Sequence, residues 1–272
     1  MTSPGLSDLS NSGSHHADKA TDSHRRSGMK PLAGPWTSVH AGLLTGLLLG
    51  LCLWTPALAQ QAQACSSDGL RPPSALFERF INADCADCWS ADNTPRPPRG
   101  AIALDWIVPG LQGDEAPLSA AASRDAAHRL QVLHHRPPHT TAAYLAAAAP
   151  PGRLRLRVAH GPAFQGYIGA SIELRPPAGI KKPFTSWLAL VETIPAGTEG
   201  SPVERTLVRN VFQPDWGDVD VPARTRQKRT IESRSMNIPA GVNTDGLRMI
   251  GWIEDANGQV RAIAESRCPP TR

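Results

Sequence analysis

Residues 75–88 read Ala-Leu-Phe-Glu-Arg-Phe-Ile-Asn-Ala-Asp-Cys-Ala-Asp-Cys. Ala75 to Ile81 opens with alternating apolar and polar residues and reads as a strand, and the first cysteine follows four residues after its end. The order is therefore strand, then Cys-x-x-Cys. Thirteen residues beyond Cys88 comes Ala101-Ile102-Ala103-Leu104-Asp105-Trp106-Ile107-Val108, an almost continuous apolar run of the length of a buried strand. It is expected to pair beside the first. Ser119 then stands as the cap of a helix in which Ala122, Ala126, Leu130 and Leu133 recur on one face. Strand, helix, strand, helix implies a partly parallel sheet with helices packed on it.

From Arg153 the periodicity becomes two, with Leu154, Leu156 and Val158 alternating with Arg153, Arg155 and Arg157. Further strands are expected at 167–174, 186–193, 206–212, 230–237, 247–254 and 259–264. The last two flank Asp255-Ala256-Asn257-Gly258, a hairpin signal because Asn and Gly tolerate positive φ. Short strands separated by Pro- and Gly-containing turns suggest an immunoglobulin-like β-sandwich.

The front of the chain carries an export signal. Gly42 to Trp54 is an apolar run preceded by Arg25, Arg26 and Lys30 and followed by Thr55-Pro56-Ala57-Leu58-Ala59. A basic region, a short apolar region and an Ala-x-Ala site predict cleavage after Ala59, and the run falls short of the ~20 apolar residues that span a bilayer. An uncleaved anchor is the weaker reading. Arg25-Arg26 resembles a twin-arginine signal, but Gly28 stands where a bulky apolar residue belongs, and Leu51 before Cys52 argues against a lipoprotein site. Residues 1–28 are Ser, His, Asp and Gly with little to bury, either a disordered lead or an extension upstream of a start at Met29.

The chain has 272 residues and a formal net charge of +4. Removing the leader takes four of the 28 Lys+Arg and three of the 24 Asp+Glu and leaves +3, too weak to imply a polyanionic partner. The basic run 224–229 lacks an aromatic and reads as a solvated loop. Nucleic acid is therefore not expected as a partner, and the membrane is met only through the signal peptide. There is no Ser-His-Asp order with nucleophile-elbow spacing, no phosphate-cradling glycine loop and no convincing carboxylate pair, so hydrolase and kinase chemistry gain nothing and no cofactor is implied.

Four cysteines remain after the leader: Cys65, Cys85, Cys88 and Cys268. An even count in an exported chain reads as disulfides, with three pairings open. Cys85 and Cys88 are close enough for the short redox-type loop, which leaves Cys65 and Cys268 as a structural bond tying the ends together. A lone Cys-x-x-Cys is compatible with redox work, a structural bridge or half of a zinc site, and the preceding strand favours the first two. Asp84 and Asp87 flank Cys85 with no cation inside the motif, which disfavours a thiolate and predicts a disulfide that is hard to reduce.

Leu76-Phe77-Glu78 leading into Cys85-Ala86-Asp87-Cys88, the buried strand that follows, and Leu247 to Asp255 (LRMIGWIED) together resemble the secreted bacterial family termed domain of unknown function 1223 and its outer-membrane relatives. The resemblance spans about residues 70–268, though only the cysteine pair is a sharp motif, and Trp89-Ser90 departs from the prolines expected after it. It implies a mixed α/β chain: a signal peptide with its lead (1–59), a thioredoxin-like domain (60–150) and a β-sandwich (151–272). It implies also that Cys85 is the attacking thiol at a helix N-terminus, Cys88 the resolving one, and Pro138, or else Pro137, a cis-proline facing them.

The function expected is thiol–disulfide exchange in the periplasm or outside the cell, with protein thiols or disulfides, or other envelope proteins, as partners. Two rivals stand beside it. His134, His135 and His139 surround Arg136-Pro137-Pro138 and, with His128 on the helix, offer imidazoles that would join Cys85 and Cys88 in a copper or zinc site. Trp187, Trp216 and Trp252 would form the face of a non-catalytic binding or assembly module, although the strand patterns place two of them in a core.

Overall fold

A computed structural model describes residues 64–150, 154–176, 184–216 and 229–269. The expected leader with its site at Ala59, and residues 224–228 of the basic run, lie outside them. Ala75–Asn82 forms strand β2, after a two-residue β1 at Cys65–Ser66, and Ala101–Val108 forms β3. Seven of the eight β2 residues and six of the eight β3 residues are buried, as expected of parallel strands covered on both faces. The two run parallel from Ala75 opposite Ala101 to Asn82 opposite Val108. The crossover between them carries both cysteines and a single-turn helix α1, Ala86–Trp89.

Helix α2 spans Arg124–Val132 and is capped by Ser123, whose Oγ accepts the amide of Ala126 at 3.2 Å. The cap expected at Ser119 is thus displaced by one turn. Ser119–Ala121 is instead a 3-10 turn, and Ala122 is extended because it forms a parallel bridge with Ile107 of β3. β4, Thr141–Ala147, then runs antiparallel to β2.

The remaining strands are β5 (Arg155–Phe164), β6 (Tyr167–Arg175), β7 (Phe184–Ile194), β8 (Arg205–Phe212), β9 (Thr230–Asn237), β10 (Leu247–Asp255) and β11 (Val260–Glu265). They fall into two sheets that pack face to face. One sheet has four strands in the order β1-β5-β6-β9, and the other has seven in the order β11-β10-β7-β8-β3-β2-β4. The larger sheet therefore draws on both sides of residue 150, joined where β8 lies parallel to β3 at Asp105 opposite Leu207. Strands from both sides of the expected division at residue 150 thus share one sheet, because the edge of β3 not paired with β2 is taken by β8, which is hairpinned to β7.

Side chains alternate across the large sheet and build two different faces. Leu76, Phe80, Trp106, Trp187 and Trp252 share a core with Ala126 and Leu130 of α2. On the opposite face Leu188, Leu190 and Met249 pack against Val158 and Ile172 of the small sheet. The sheets approach closely at Gly251, where a Cβ would meet Val158 Cγ1 at 2.6 Å, so a side chain there would wedge them apart. Farther along the same face, Ile81, Ile107 and Leu207 form a third cluster under Cys88 and Trp89.

Candidate functional site

Cys85 and Cys88 are joined by a disulfide, and so are Cys65 and Cys268, the two pairings read from the sequence. Cys85 occupies the position before α1, donates its amide to Asn82 O at 3.0 Å, and both of its motif's sulfur-bearing residues are half-buried. Cys88 is the inner one, packed on the Ile81 and Ile107 cluster. Ala86 and Asp87 between them are exposed.

Asn82, at the end of β2, organises the loop. Its carbonyl accepts Cys85 N–H, its Oδ1 accepts Asp84 N–H at 2.9 Å, and its Nδ2 donates to Pro138 O at 2.9 Å. The expected neighbour Pro138 thus reaches the same residue as the cysteine loop. Its peptide bond is trans, because no cis peptide occurs among the described residues, and the trans form already delivers the Pro138 carbonyl to Asn82.

Asp84 does not face the cysteines as an unpaired charge. Its carboxylate accepts the amides of Leu111 at 2.7 Å and Gln112 at 3.2 Å, and Gly110 leaves the space this needs, since a Cβ there would lie 2.1 Å from Asp84 Oδ1. A cation from β8 holds the residues that follow the motif. Arg205, fully buried, donates to Trp89 O at 2.7 Å and to Thr94 Oγ1 at 3.1 Å, and its guanidinium lies 4.9 Å from the centre of the Trp89 ring.

Arg205 belongs to a buried trio. Asp105 Oδ1 and Oδ2 each accept from Arg79 at 2.7 Å, Oδ1 accepts from Arg205 at 3.3 Å, and Oδ2 accepts the Thr206 amide at 2.7 Å. Arg79 donates further to Pro95 O at 3.0 Å and Glu204 O at 3.2 Å. Two guanidiniums share one carboxylate; the segment after Cys88 accepts further donors at Trp89 O, Thr94 Oγ1 and Pro95 O, and Ser201 Oγ and Glu204 O ahead of β8 accept the others. Burial pulls the Arg205 pKa down and Asp105 opposes that shift. The trio clamps residues 89–95, the segment that follows Cys88, to the sheet. The sequence signal for it was Arg79 and Asp105 inside strands that are otherwise apolar, since a buried charge requires a partner.

The histidine segment serves other purposes. His128 Nε2 is 3.1 Å from Gln213 Oε1, His135 stacks on Tyr144 with ring centres 3.9 Å apart, and His134 takes a positive φ of 58° just after α2. His134, His135 and His139 are all exposed. Among the described residues these histidines and the Cys85–Cys88 pair do not form a group of three metal-donor atoms, whereas Cys65, His160 and Cys268 do. The expected tryptophan face also resolves differently. Trp187 and Trp252 are fully buried and stack at 5.4 Å, and Trp216 is half-buried against the inter-sheet core.

Trp187 and Trp252 belong to a second buried network. Arg129 of α2 binds Glu78 with Nε at 2.9 Å and Nη2 at 2.8 Å, and binds Glu254 with Nη1 at 3.0 Å and Nη2 at 2.6 Å. The indole N–H groups of Trp106, Trp187 and Trp252 donate to the same two carboxylates. Burial opposes the Arg129 charge, but Glu78 and Glu254 outweigh it and raise its pKa. This network fastens α2 to the face of the sheet opposite the cysteine loop.

No protein-family model and no curated protein sequence matches the chain, so the resemblance to domain of unknown function 1223 gains no support from a family model. Two solved structures are similar in part. One is a domain of the outer membrane lipoprotein Omp28 from Porphyromonas gingivalis, 11% identical, covering 47% of this chain and 97% of that one with a TM-score of 0.30. The other is HBP35 of Porphyromonas gingivalis, 9% identical, covering 73% and 75% with a TM-score of 0.43. No helix among the described residues is long and apolar enough to cross a membrane.

Proposed function

We propose that this is an exported protein whose Cys85–Cys88 disulfide exchanges with protein thiols outside the cytoplasm. The observation that carries the reading is the asymmetry of the pair: Cys85 precedes the first turn of α1 at the end of a buried strand, while Cys88 is packed on the core beneath it. An incoming thiolate attacks Cys85 Sγ, and Cys88 Sγ, packed on the core, remains in place to resolve the mixed disulfide. The parallel β2–β3 pair with a cysteine-bearing crossover, followed by α2, a proline loop and antiparallel β4, supports a thioredoxin-like arrangement for this half. Two disulfides within one chain support an oxidising compartment, periplasmic or extracellular.

Asp84 being held by two backbone amides, with Arg205 beneath Trp89, lightens the electrostatic penalty on a thiolate that the two flanking acids impose. The test is trapping. Cys88→Ser accumulates mixed disulfides through Cys85 and Cys85→Ser does not. A reduction potential well below about −300 mV, with no trapped species, makes the bond a structural one and ends the proposal.

A second reading rests on a separate feature. An open cleft of about 720 Å³ lies where the two sheets meet, lined by residues that include Asp68, Arg71, Arg155, Arg157, Glu173 and Arg175. Its volume is that of a ligand site. In this reading the protein is an envelope binding module and the Cys85–Cys88 bond pins a loop; activity that survives loss of both cysteines supports it.

A further inference from the structure

The Cys65–Cys268 bond is the staple between the sheets: Cys65 lies on β1 of the small sheet and Cys268 lies three residues after β11 of the large one. A third residue meets it. His160 on β5 is the direct cross-strand partner of Cys65, and one imidazole nitrogen and the two sulfurs all lie within 4.8 Å of one another. His160 is 6% exposed. Its Nδ1 is 2.9 Å from the Gly161 carbonyl oxygen, which accepts only, so Nδ1 carries the proton and Nε2 the lone pair. Nε2 is buried and has no hydrogen-bond partner. A buried polar atom left unsatisfied costs about 1–3 kcal/mol, so its retention on an imidazole grouped with two sulfurs calls for a use.

We propose that Cys65, Cys268 and His160 form a redox-gated site for a thiophilic d10 cation, zinc or cuprous copper. The gate is the disulfide itself. An external dithiol gives two electrons and two protons to the S–S bond, becomes a cyclic disulfide, and leaves Cys65 and Cys268 as thiols. The cation then displaces both thiol protons to solvent and takes two thiolates and the imidazole as ligands, with solvent completing the shell.

The backbone keeps the three donors assembled after reduction. Ser66 N–H donates to Arg267 O and Arg267 N–H donates to Ser66 O, both at 3.0 Å, so the residues adjoining each cysteine stay paired without the S–S bond. A tetrahedral site needs its sulfurs roughly 3.8 Å apart, a short opening from the bonded separation. A neutral imidazole donating its second N–H to a backbone carbonyl is the usual setting of a metal-bound histidine, and the Gly161 carbonyl supplies it. Cys268 is exposed and gives a cation its way in, while Cys65 and His160 are buried.

The test uses the whole protein carrying Cys85→Ser and Cys88→Ser, so that the other sulfur pair contributes nothing and the outcome is independent of the exchange proposal. Reduced anaerobically with a phosphine, it is titrated with Co²⁺ as a spectroscopic probe for zinc, and with Cu⁺ in competition with a chromogenic chelator. Expected are one cation per chain, thiolate-to-cobalt charge-transfer bands, loss of binding in Cys65→Ser, and at least tenfold weaker binding in His160→Ala. The oxidised protein binds nothing, and near-ultraviolet dichroism of oxidised His160→Ala verifies that this variant is folded. Absence of one-to-one uptake overturns the proposal, as does His160→Ala binding as tightly as its parent. Unfolding of the parent on reduction overturns it too, because the three donors then no longer meet. Uptake of only one of the two cations retains the site and assigns its metal.

Discussion

Arg129→Met isolates the network that fastens α2 to the sheet. The substitution keeps a flexible apolar side chain of similar length and removes four hydrogen bonds to Glu78 and Glu254, together with guanidinium contacts to Trp187 at 4.9 Å and Trp252 at 5.3 Å. What remains is a pair of carboxylates 2% and 3% exposed. Breaking a buried ion pair by deleting one partner costs about 3–5 kcal/mol, chiefly because the charge left behind is uncompensated. The indole N–H groups of Trp106, Trp187 and Trp252 still donate to those carboxylates, which places the cost near the lower end of that range. For a domain of this size that is a fall in Tm of roughly 6–12 °C. Guanidinium melts followed by tryptophan fluorescence measure it, with an unchanged slope verifying that the folded state is otherwise retained. Adding Glu78→Gln and Glu254→Gln keeps acceptors for the indoles without their charge and recovers most of the loss. A single Arg129→Met variant within about 1 kcal/mol of wild type, or a triple variant less stable than the single one, refutes the reasoning.

Arg205→Ala frees Trp89 O and Thr94 Oγ1 and removes the stack on Trp89, while Arg79 still neutralises Asp105. Expected are a loss of about 2–3 kcal/mol and faster reduction of Cys85–Cys88 by dithiothreitol; an unchanged reduction rate would show that the cation does not hold the loop. Replacing both Cys65 and Cys268 by Ser opens a loop with a sequence separation of 203, worth about 5 kcal/mol in the chain-entropy model, against about 2 kcal/mol for the Cys85–Cys88 pair with its separation of 3, so paired urea melts should rank them in that order. Asp68 is held below the usual carboxylate range by hydrogen bonds from Arg157, against the effect of its slight burial. Its stabilisation is therefore present above the unfolded value of about 3.9 and is lost as pH falls through the folded one, so the gap between wild type and Asp68→Asn closes on acidification and shrinks with added salt.

Strand positions were legible because their patterns are strong. The run 101–108 became β3 with those bounds, and the candidates from 167 to 264 lie within two residues of β6 to β11. Sheet membership was not legible, since nothing local in Leu207 names Asp105 as its neighbour. β4 went unread because Ala142, Ala143, Ala146 and Ala147 carry helix propensity, and only pairing with β2 imposes the extended form. The cap was placed at Ser119 because the alanines 120–122 extend the helical pattern upstream, and only the bridge of Ala122 to Ile107 takes them out of the helix and makes Ser123 the cap. At the site, the cysteine pairings followed from count and spacing, whereas Arg205 and Asp105 meet across 100 residues and His160 across β1, distances that pattern reading does not span.

The position of β8 beside β3 fixes when the protein can be completed. Until residue 212 has emerged from the ribosome, the first strands have a bare side, and the covalent tie at residue 268 comes later still. Wide sequence separation of paired strands slows folding, because the chain must close long loops before it gains those contacts. A nascent chain of this design leaves the outer edge of β3 without its partner for most of its synthesis.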